Sequence, residues 1–358
     1  MFSRSNKLAQ QTAQRLISGH LTLIAWWALK NAGLFDAILK VEADNPGDKG
    51  LELLVHATRA SMAPDVLYAL VNYLQSANLL SVTGDRATLT PEGRALLQHE
   101  DGLLELVRSY QPVVNVVEHM LARLKIPGGA VVRRKTETLA EAQAKRYAAE
   151  LFPAISELIA SRHFSHLLDL NCGAGDLLMY LAKQHKNAVG VGICADGALS
   201  RRANTAFSAA ELEKRLISVP ANPLEALGNT RATFERIGIS RQLWTDLDCL
   251  IATNIFSETH ARDADLRNDS SAAAHVTKAL SSIPKNFPKA HLLLIEPTAS
   301  PRFDKQYYAP EITLLMQLCK TPLFSAAQWH DLIKQAKLHL IHEAPLATDG
   351  LTLFLCKP

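Results

Sequence analysis

Long apolar runs are missing from this sequence of 358 residues. The longest candidate, residues 21–29, is interrupted by Thr22 and is followed by a lysine and an asparagine, whereas a membrane span needs roughly 18 apolar residues or more. Residues 1–7 carry an arginine and a lysine and lead into a glutamine-rich stretch, unlike the apolar centre of a signal peptide. We therefore expect no membrane segment and a cytoplasmic protein.

A strong excess of one charge is also missing. The chain has 38 lysines and arginines against 35 aspartates and glutamates, for a formal net charge of +3. The densest basic clusters, residues 133–135 and 201–202, are short enough to be ordinary solvated surface. The charge pattern therefore predicts no nucleic-acid partner.

Cysteine is scarce and shows no pattern. The five cysteines follow neither the spacing of a metal site nor that of a disulfide framework; they stand at positions 172, 194, 249, 319 and 356. Cys194, Cys249 and Cys356 lie in or beside apolar, strand-like runs, where a small buried thiol is the ordinary interpretation. We expect no metal ion.

The composition that remains is that of a globular protein, with 48% hydrophobic and 20% charged residues, and the length suggests about two domains. Apolar residues recur at helical spacing over residues 16–35. The adjacent Trp26 and Trp27 cannot both lie on one narrow apolar stripe. This helix either packs on two sides, against a partner subunit, or belongs to a large local core.

A small helical and hairpin pattern follows. Residues 64–74 form an amphipathic helix, and two short strands, 79–82 and 87–89, flank a turn. Another helix begins at Pro91 with Thr90 as its N-cap. This order is typical of a winged helix, but the positions that would read DNA carry aspartate, tyrosine and asparagine, which does not favour DNA binding.

From residue 164 onwards, strands and helices alternate. The predicted strands are residues 167–170, 188–193, 217–219, 249–253, 291–295, 338–341 and 351–356. The predicted helices are residues 177–184, 197–205, 272–283 and 327–336. The alternation predicts an α/β fold with a Rossmann-like, mostly parallel seven-stranded sheet, whose ligands bind outside the carboxyl ends of the strands.

The most informative segment is residues 167–176, Leu-Leu-Asp-Leu-Asn-Cys-Gly-Ala-Gly-Asp. An apolar strand runs into a glycine-rich turn, and a helix follows at once. This punctuation is typical of a βα unit whose backbone approaches a ligand at the helix N-terminus.

The segment resembles the glycine-rich loop of class I S-adenosyl-L-methionine (SAM) dependent methyltransferases, with one glycine missing. Residues 25–36, 89–93 and 321–336 are similar to the dimerisation helix, winged segment and late helix of small-molecule O-methyltransferases of the plant caffeate and bacterial polyketide-tailoring type. The resemblance covers nearly the full chain. It implies SAM as cofactor, a small-molecule acceptor and a homodimer formed through the N-terminal helices.

The same resemblance implies three segments. Residues 1–105 would form a mainly α, winged-helix-like dimerisation domain, residues 106–160 a helical connector, and residues 161–358 the Rossmann-like SAM-binding domain.

Four residues of the loop would hold the methionine part of SAM by this resemblance. Asp169 stands at the strand end, and Gly173 and Gly175 let the backbone approach the cofactor. Asn171 replaces the first glycine, and asparagine tolerates positive φ better than other non-glycine residues.

The residues expected to bind the nucleoside part of SAM depart further from the family pattern. The second strand of these enzymes ends in an acid that binds the ribose hydroxyls, and Gly192 stands at the expected place. Asp196 either substitutes for that acid or caps the helix that begins near Gly197. After the third strand, Asn222 replaces an aspartate and could still bind adenine.

After the fourth strand the family has a His–Asp pair, in which the histidine is the base. Ser257 falls at the base position, Glu258 at the aspartate position, and His260 three residues beyond Ser257. Glu258 and His260 are the candidate catalytic residues, although an exposed loop histidine is an open alternative. The stretch 256–265 also resembles enzymes that methylate carbon next to the ketone of 2-keto acids. If the acceptor is acidic or enolisable, no strong base is needed.

Two functions stay open. One is SAM-dependent methyl transfer to the oxygen or carbon of a small molecule in secondary metabolism. The other is a methyltransferase fold without methyl transfer, as a degenerate partner subunit or with a different reaction.

Overall fold

The structure, a computed structural model, describes residues 4–44, 50–99, 102–115, 135–236, 238, 245–256, 269–299, 316 and 323–358. The chain divides into two compact units, Met1–Leu104 and Glu105–Pro358. No helix in the described ranges is long and apolar enough to cross a membrane.

The first unit contains helices and a three-stranded antiparallel sheet. Its elements are α1 (Arg4–Asn31), α2 (Leu34–Asp44), β1 (Leu51–Glu52), α3 (Leu53–Arg59), α4 (Pro64–Ser76), β2 (Leu80–Thr83), β3 (Arg86–Leu89) and α5 (Pro91–His99). The strand order is β1-β3-β2. Helix α5 begins as the sequence predicts, because the Thr90 hydroxyl accepts a hydrogen bond from the Gly93 N–H at 3.0 Å. The pair β1–α3 was not predicted, since a two-residue strand carries no periodic signal.

Both adjacent tryptophans are buried within the chain itself. Trp26 is 1% exposed and Trp27 9%, and the rings of Trp26 and Phe35 lie 4.4 Å apart. For these two residues, the structure therefore favours a large local core over packing against a partner subunit. Other apolar side chains of α1 are exposed, namely Leu16, Ile17, Leu21 and Ile24.

The second unit is an α/β sandwich; helix α6 (Leu103–Ser109) crosses the boundary. Its further helices are α7 (Gln111–Val114), α8 (Thr136–Ala148), α9 (Leu151–Arg162), α10 (Asp176–Gln184), α11 (Gly197–Ala209), α12 (Pro223–Gly228), α13 (Thr230–Arg236), α14 (Asp269–Leu280), α15 (Ile283–Asn286) and α16 (Ala326–Gln335). Its strands are β4 (His166–Asp169), β5 (Val189–Cys194), β6 (Leu216–Pro220), β7 (Cys249–Thr253), β8 (His291–Pro297), β9 (His339–Pro345) and β10 (Leu351–Lys357).

The seven strands form one sheet in the order β6-β5-β4-β7-β8-β10-β9. All neighbouring pairs from β6 to β8 are parallel, while β10 is antiparallel to both β8 and β9. The chain runs outward from β4 to β5 and β6, then returns to the other side of β4 at β7. This reversal between β4 and β7 is a topological switch point, where sheets of this kind form their ligand crevice.

Two apolar layers bury the central strands on both faces. Along β8, Leu292 and Leu294 belong to one core cluster, and Leu293 and Ile295 to the other. Continuous apolar runs are what a parallel strand covered by helices on both sides requires. The prediction of a mostly parallel seven-stranded α/β sheet is confirmed. Each predicted strand is found, β7 with the predicted bounds and the others with ends shifted by at most four residues.

Candidate active site

The glycine-rich loop joins the end of β4 to the start of α10. Two residues in it have left-handed backbone conformations, Gly173 with φ +54° and Gly175 with φ +85°. Asn171 is not among the described residues with positive φ, so the missing first glycine imposes no backbone strain there. The expectation that Asn171 needs its tolerance of positive φ was therefore wrong.

Asn171 has a different task in the loop. Its side-chain Nδ2 donates a hydrogen bond to the Thr253 carbonyl at 3.0 Å, and its backbone N–H donates to Asp169 Oδ1 at 3.1 Å. The side chain therefore ties the loop to the end of β7, across the switch point.

Gly175 is required for packing. A Cβ atom at this position would lie 2.6 Å from Phe207 Cζ and 3.0 Å from Ala203 Cβ, both on α11. Among the described residues, a Cβ on Gly173 would meet only Ala140 Cβ, at the ordinary distance of 3.7 Å. Gly175 thus lets α11 approach the loop closely, whereas Gly173 lies on the open side.

A cavity opens beside this loop at the switch point. It holds about 470 Å³ of space, including its open mouth. Its walls come from α8, α9, the loop and the end of β7. The lining residues are Ala140, Gln143, Ala144, Tyr147, Leu151, Phe152, Asp169, Asn171, Cys172, Gly173, Ala174, Asp176, Leu177, Thr253 and Asn254.

Asp169 is the most perturbed acid in the cavity. Its side chain is 2% exposed, and burial raises its pKa to about 7, although the hydrogen bond from the Asn171 N–H acts in the opposite direction. Charging a carboxyl group is costly where water cannot solvate it. A positively charged ligand group placed beside Asp169 would offset that cost.

Tyr147 and Asn254 meet across the cavity wall. Asn254 Nδ2 donates to the Tyr147 hydroxyl at 2.6 Å, and the Asn254 N–H donates to the Ile295 carbonyl at 2.8 Å. Asn254 has φ +54°, which turns the chain sharply after β7. The bond fixes the phenol of α8 to the end of that strand.

Strand β5 extends two residues beyond the predicted acid position. Its last residue is Cys194, while Gly192 lies inside the strand, opposite Asp169. A Cβ on Gly192 would lie 2.5 Å from Cys172 Sγ. Gly192, the position that the resemblance gives to the acid, therefore lies inside the strand: the Cys172 side chain fills the space above it, and Cys194 is the residue at the carboxyl end.

The thiols of Cys172 and Cys194 are part of a buried polar group. A hydrogen bond between them and burial hold the pKa of the Cys172 thiol well above its ordinary range, so it stays protonated. Cys172 Sγ also lies 3.4 Å from the Ser218 hydroxyl, which donates to Ser200 Oγ at 3.0 Å. This side of the loop is closed by the protein's own groups.

Two candidate cofactor residues are helix caps. Asp196 Oδ1 accepts hydrogen bonds from the backbone N–H groups of Ala198 and Leu199 at 2.8 and 3.3 Å. Asn222 Oδ1 likewise accepts from the N–H groups at the start of α12, at 2.9 and 3.4 Å. Neither residue lines the cavity, which brings together Asp169, Asn171 and Gly173.

The candidate catalytic residues Glu258 and His260, like Ser257, lie outside the described residues. Three polar residues that line the cavity were not predicted from the sequence, namely Gln143, Tyr147 and Asn254. The signal for the first two was available, because Ala140, Gln143, Ala144 and Tyr147 recur at helical spacing on one face of α8. In the described ranges no group of three or more metal-ligating side chains comes together.

Comparison with known proteins gives likeness in structure only. No protein-family model and no curated protein sequence matches the chain. The structure of the mitomycin 7-O-methyltransferase MmcR is similar over 99% of this chain and 98% of its own, with a TM-score of 0.68 and 13% identity. An O-methyltransferase of neocarzinostatin biosynthesis, solved with SAM and 2-hydroxy-5-methyl naphthoic acid, has a TM-score of 0.60 and 16% identity over 94% of this chain and 96% of its own.

A third similar structure is the N,N-8-amino-8-demethyl-D-riboflavin dimethyltransferase from Streptomyces davawensis. It has a TM-score of 0.55 and 17% identity over 99% of both chains. Full-length coverage includes both compact units, so the likeness is not confined to the common α/β half. The chain therefore has the fold of these small-molecule methyltransferases.

Proposed function

We propose that the protein is a SAM-dependent methyltransferase that acts on the oxygen or carbon of a small-molecule acceptor in secondary metabolism. One observation carries the proposal: a cavity lies at the switch point of the sheet, bounded by the glycine-rich loop and by the buried carboxyl group of Asp169. The fold shared with methyltransferases over the full chain supports it.

The amino-acid end of SAM fits the described residues well. Asp169 offers a buried carboxyl group suited to an ammonium group, and the loop backbone at Gly173 is open to close approach. Asn171 binds the loop to the end of β7 through its hydrogen bond to Thr253, and Gly175 allows the loop to pack closely against α11. When bound, SAM supplies an electrophilic methyl group on a sulfonium sulfur.

The nucleoside end fits less well. Asp196 and Asn222 follow β5 and β6 and are the candidates for ribose and adenine, but each already caps a helix through Oδ1. Each side chain keeps a second polar atom, and we propose that these atoms face the nucleoside.

Methyl transfer needs the acceptor aligned with the methyl group, at roughly 3–3.5 Å, and water excluded. Helix α9 covers one side of the cavity with apolar surface from Leu151 and Phe152. Glu258 and His260 are the proposed proton acceptors. An acidic or enolisable acceptor would lose its proton without a strong base.

For the first unit we propose the role of a winged-helix dimerisation domain over residues 1–105, followed by a helical connector (106–160) and the SAM-binding domain (161–358), in a cytoplasmic homodimer. The exposed stripe Leu16, Ile17, Leu21 and Ile24 on α1 supports a partner subunit. Sedimentation equilibrium of the wild type and of Leu21→Glu tests this: a wild-type dimer that dissociates in the variant is expected, and a monomeric wild type contradicts it.

The alternative function rests on one observation, at the end of β5. A thiol stands there in place of a carboxylate, as would suit a methyltransferase fold that transfers no methyl group, either as a partner subunit or with another reaction.

Isothermal titration with SAM and with S-adenosylhomocysteine (SAH) separates the two functions. Binding of both below millimolar concentration, together with transfer of a labelled methyl group to a panel of phenols and 2-keto acids, is expected for the enzyme. Absence of binding by either ligand at millimolar concentration contradicts it.

A further inference from the structure

The cavity has an unusual charge balance. Two carboxyl groups, Asp169 and Asp176, line it, and its described lining residues include no lysine, arginine or histidine. The other polar side chains there are neutral. A ligand entering this space therefore meets acids without a matching basic side chain in the wall.

Asp169 is deeply buried yet weakly compensated. Its one described hydrogen bond comes from a neutral donor, the Asn171 N–H, and Asp169 is in no ion pair within the described ranges. The neighbouring Cys172 thiol stays protonated and adds no charge. The ionised form of Asp169 is thus held in a poorly solvated place, and a cation can stabilise it more strongly here than at a surface.

Asp176, the first residue of α10, adds a second acid. Burial raises its pKa, an effect that the nearby Arg202 partly offsets and that Glu141 reinforces. Arg202 itself donates to Glu141 Oε1 at 2.6 Å, so its positive charge is shared with a surface acid. The Asp169, Asp176, Glu141 and Arg202 group is net negative when all four are ionised.

We propose that this acidic cavity selects the cationic methyl donor over its product by charge. The inference rests on the proposed function. In methyl transfer the C–S bond breaks with its electron pair remaining on sulfur, a new bond forms from the methyl carbon to the acceptor, and the acceptor proton leaves to a base or to solvent. The site therefore loses one positive charge from the cofactor. Asp169 and Asp176 attract the sulfonium ligand more than the neutral thioether, and this favours release of the product.

The test is a set of dissociation constants measured by isothermal titration at one pH near 7.5. The ligands are SAM, SAH and sinefungin, which carries a protonated amine in place of the sulfonium group. In Asp169→Asn we expect SAM and sinefungin to weaken on the order of tenfold more than SAH. Asp176→Asn, at a half-buried acid, changes the same ratio in the same direction by a smaller factor, and it keeps the test usable if Asp169→Asn folds poorly.

Glu213→Gln is the matched control, since this exposed glutamate precedes β6 at the amino ends of the strands and should leave all three constants unchanged. Equal loss for all three ligands in both aspartate variants would overturn the inference, because a structural or purely ammonium-binding role predicts that result. Failure of every ligand to bind the wild type would instead overturn the proposed function.

Discussion

The two ends of the proposed cofactor site differ in how much of their polar chemistry the protein already uses. At the loop end, Asp169 and the Gly173 backbone border an open cavity, and the carboxyl group is buried with a pKa near 7. At the β5 end, Cys172 fills the space above Gly192 and Asp196 caps α11. We therefore expect the protein to bind its cofactor mainly through the amino-acid end of that molecule.

The largest effect on stability is expected at the β5 end. Gly192→Asp, which would place an acid where the family pattern suggests one, should destabilise the fold by about 4 kcal/mol or more, because it combines overpacking against Cys172 Sγ with a buried unpaired charge. Denaturant unfolding measures this. Gly192→Ala should lose about 1–3 kcal/mol and regain part of it with Cys172→Gly. Wild-type stability of Gly192→Asp, together with tighter SAH binding, would contradict this expectation, because it would show that the space above Gly192 is free for an acid.

At the loop end, the substitution Asp169→Asn should stabilise the ligand-free protein. The folded pKa of Asp169, about 7, is above the unfolded value of roughly 3.9, so between these values the folded state binds more protons. Wild-type stability should fall as pH rises from about 4 to 7 and stay low above. Asp169→Asn should remove that loss, a gain of about 4 kcal/mol at pH 8 that vanishes at pH 4.

Unfolding curves of Asp169→Asn and the wild type from pH 4 to 8 check this expectation. Glu213→Gln serves again as the surface control. Parallel pH profiles for wild type and Asp169→Asn would mean that Asp169 titrates normally, and the contrast between the two ends would lose its electrostatic basis.

The smallest effect separates the two interpretations of Asp196. As a helix cap alone, Asp196→Ala should cost about 1 kcal/mol of stability and change the affinity for SAH less than about threefold. Asp196→Ser retains a capping oxygen and should recover the stability. Loss of affinity by tenfold or more in both variants, with stability kept in Asp196→Ser, would instead give the side chain a direct ribose contact.

Much of the second unit could be predicted from sequence because its strands are buried on both faces. The run Cys249–Thr253 is apolar apart from its last residue and has the same bounds in the prediction and in the structure. The turn at residues 171–175 could be placed because glycine marks its two left-handed positions. Local signals of this kind need no knowledge of distant neighbours.

The details of the site depend on contacts between distant segments. The packing role of Gly175 could not be predicted, because its neighbour Phe207 lies 32 positions further along the chain. Gly192 was assigned the acid position by resemblance, and β5 continues two residues beyond it because an apolar run does not show where pairing stops. Tyr147 reaches the cavity through a bond to Asn254, and a helix face on its own does not reveal which strand it covers.

The most direct test of this account measures what each half of the cofactor contributes. Isothermal titration would compare SAH with 5′-methylthioadenosine, which lacks the amino-acid end, and with 3′-deoxy-SAH, which lacks a ribose hydroxyl. We predict that loss of the amino-acid end weakens binding by about a hundredfold or more and that loss of the hydroxyl weakens it less than about fivefold. The reverse ranking would contradict the account, since the contacts at the β5 end would then provide most of the binding free energy.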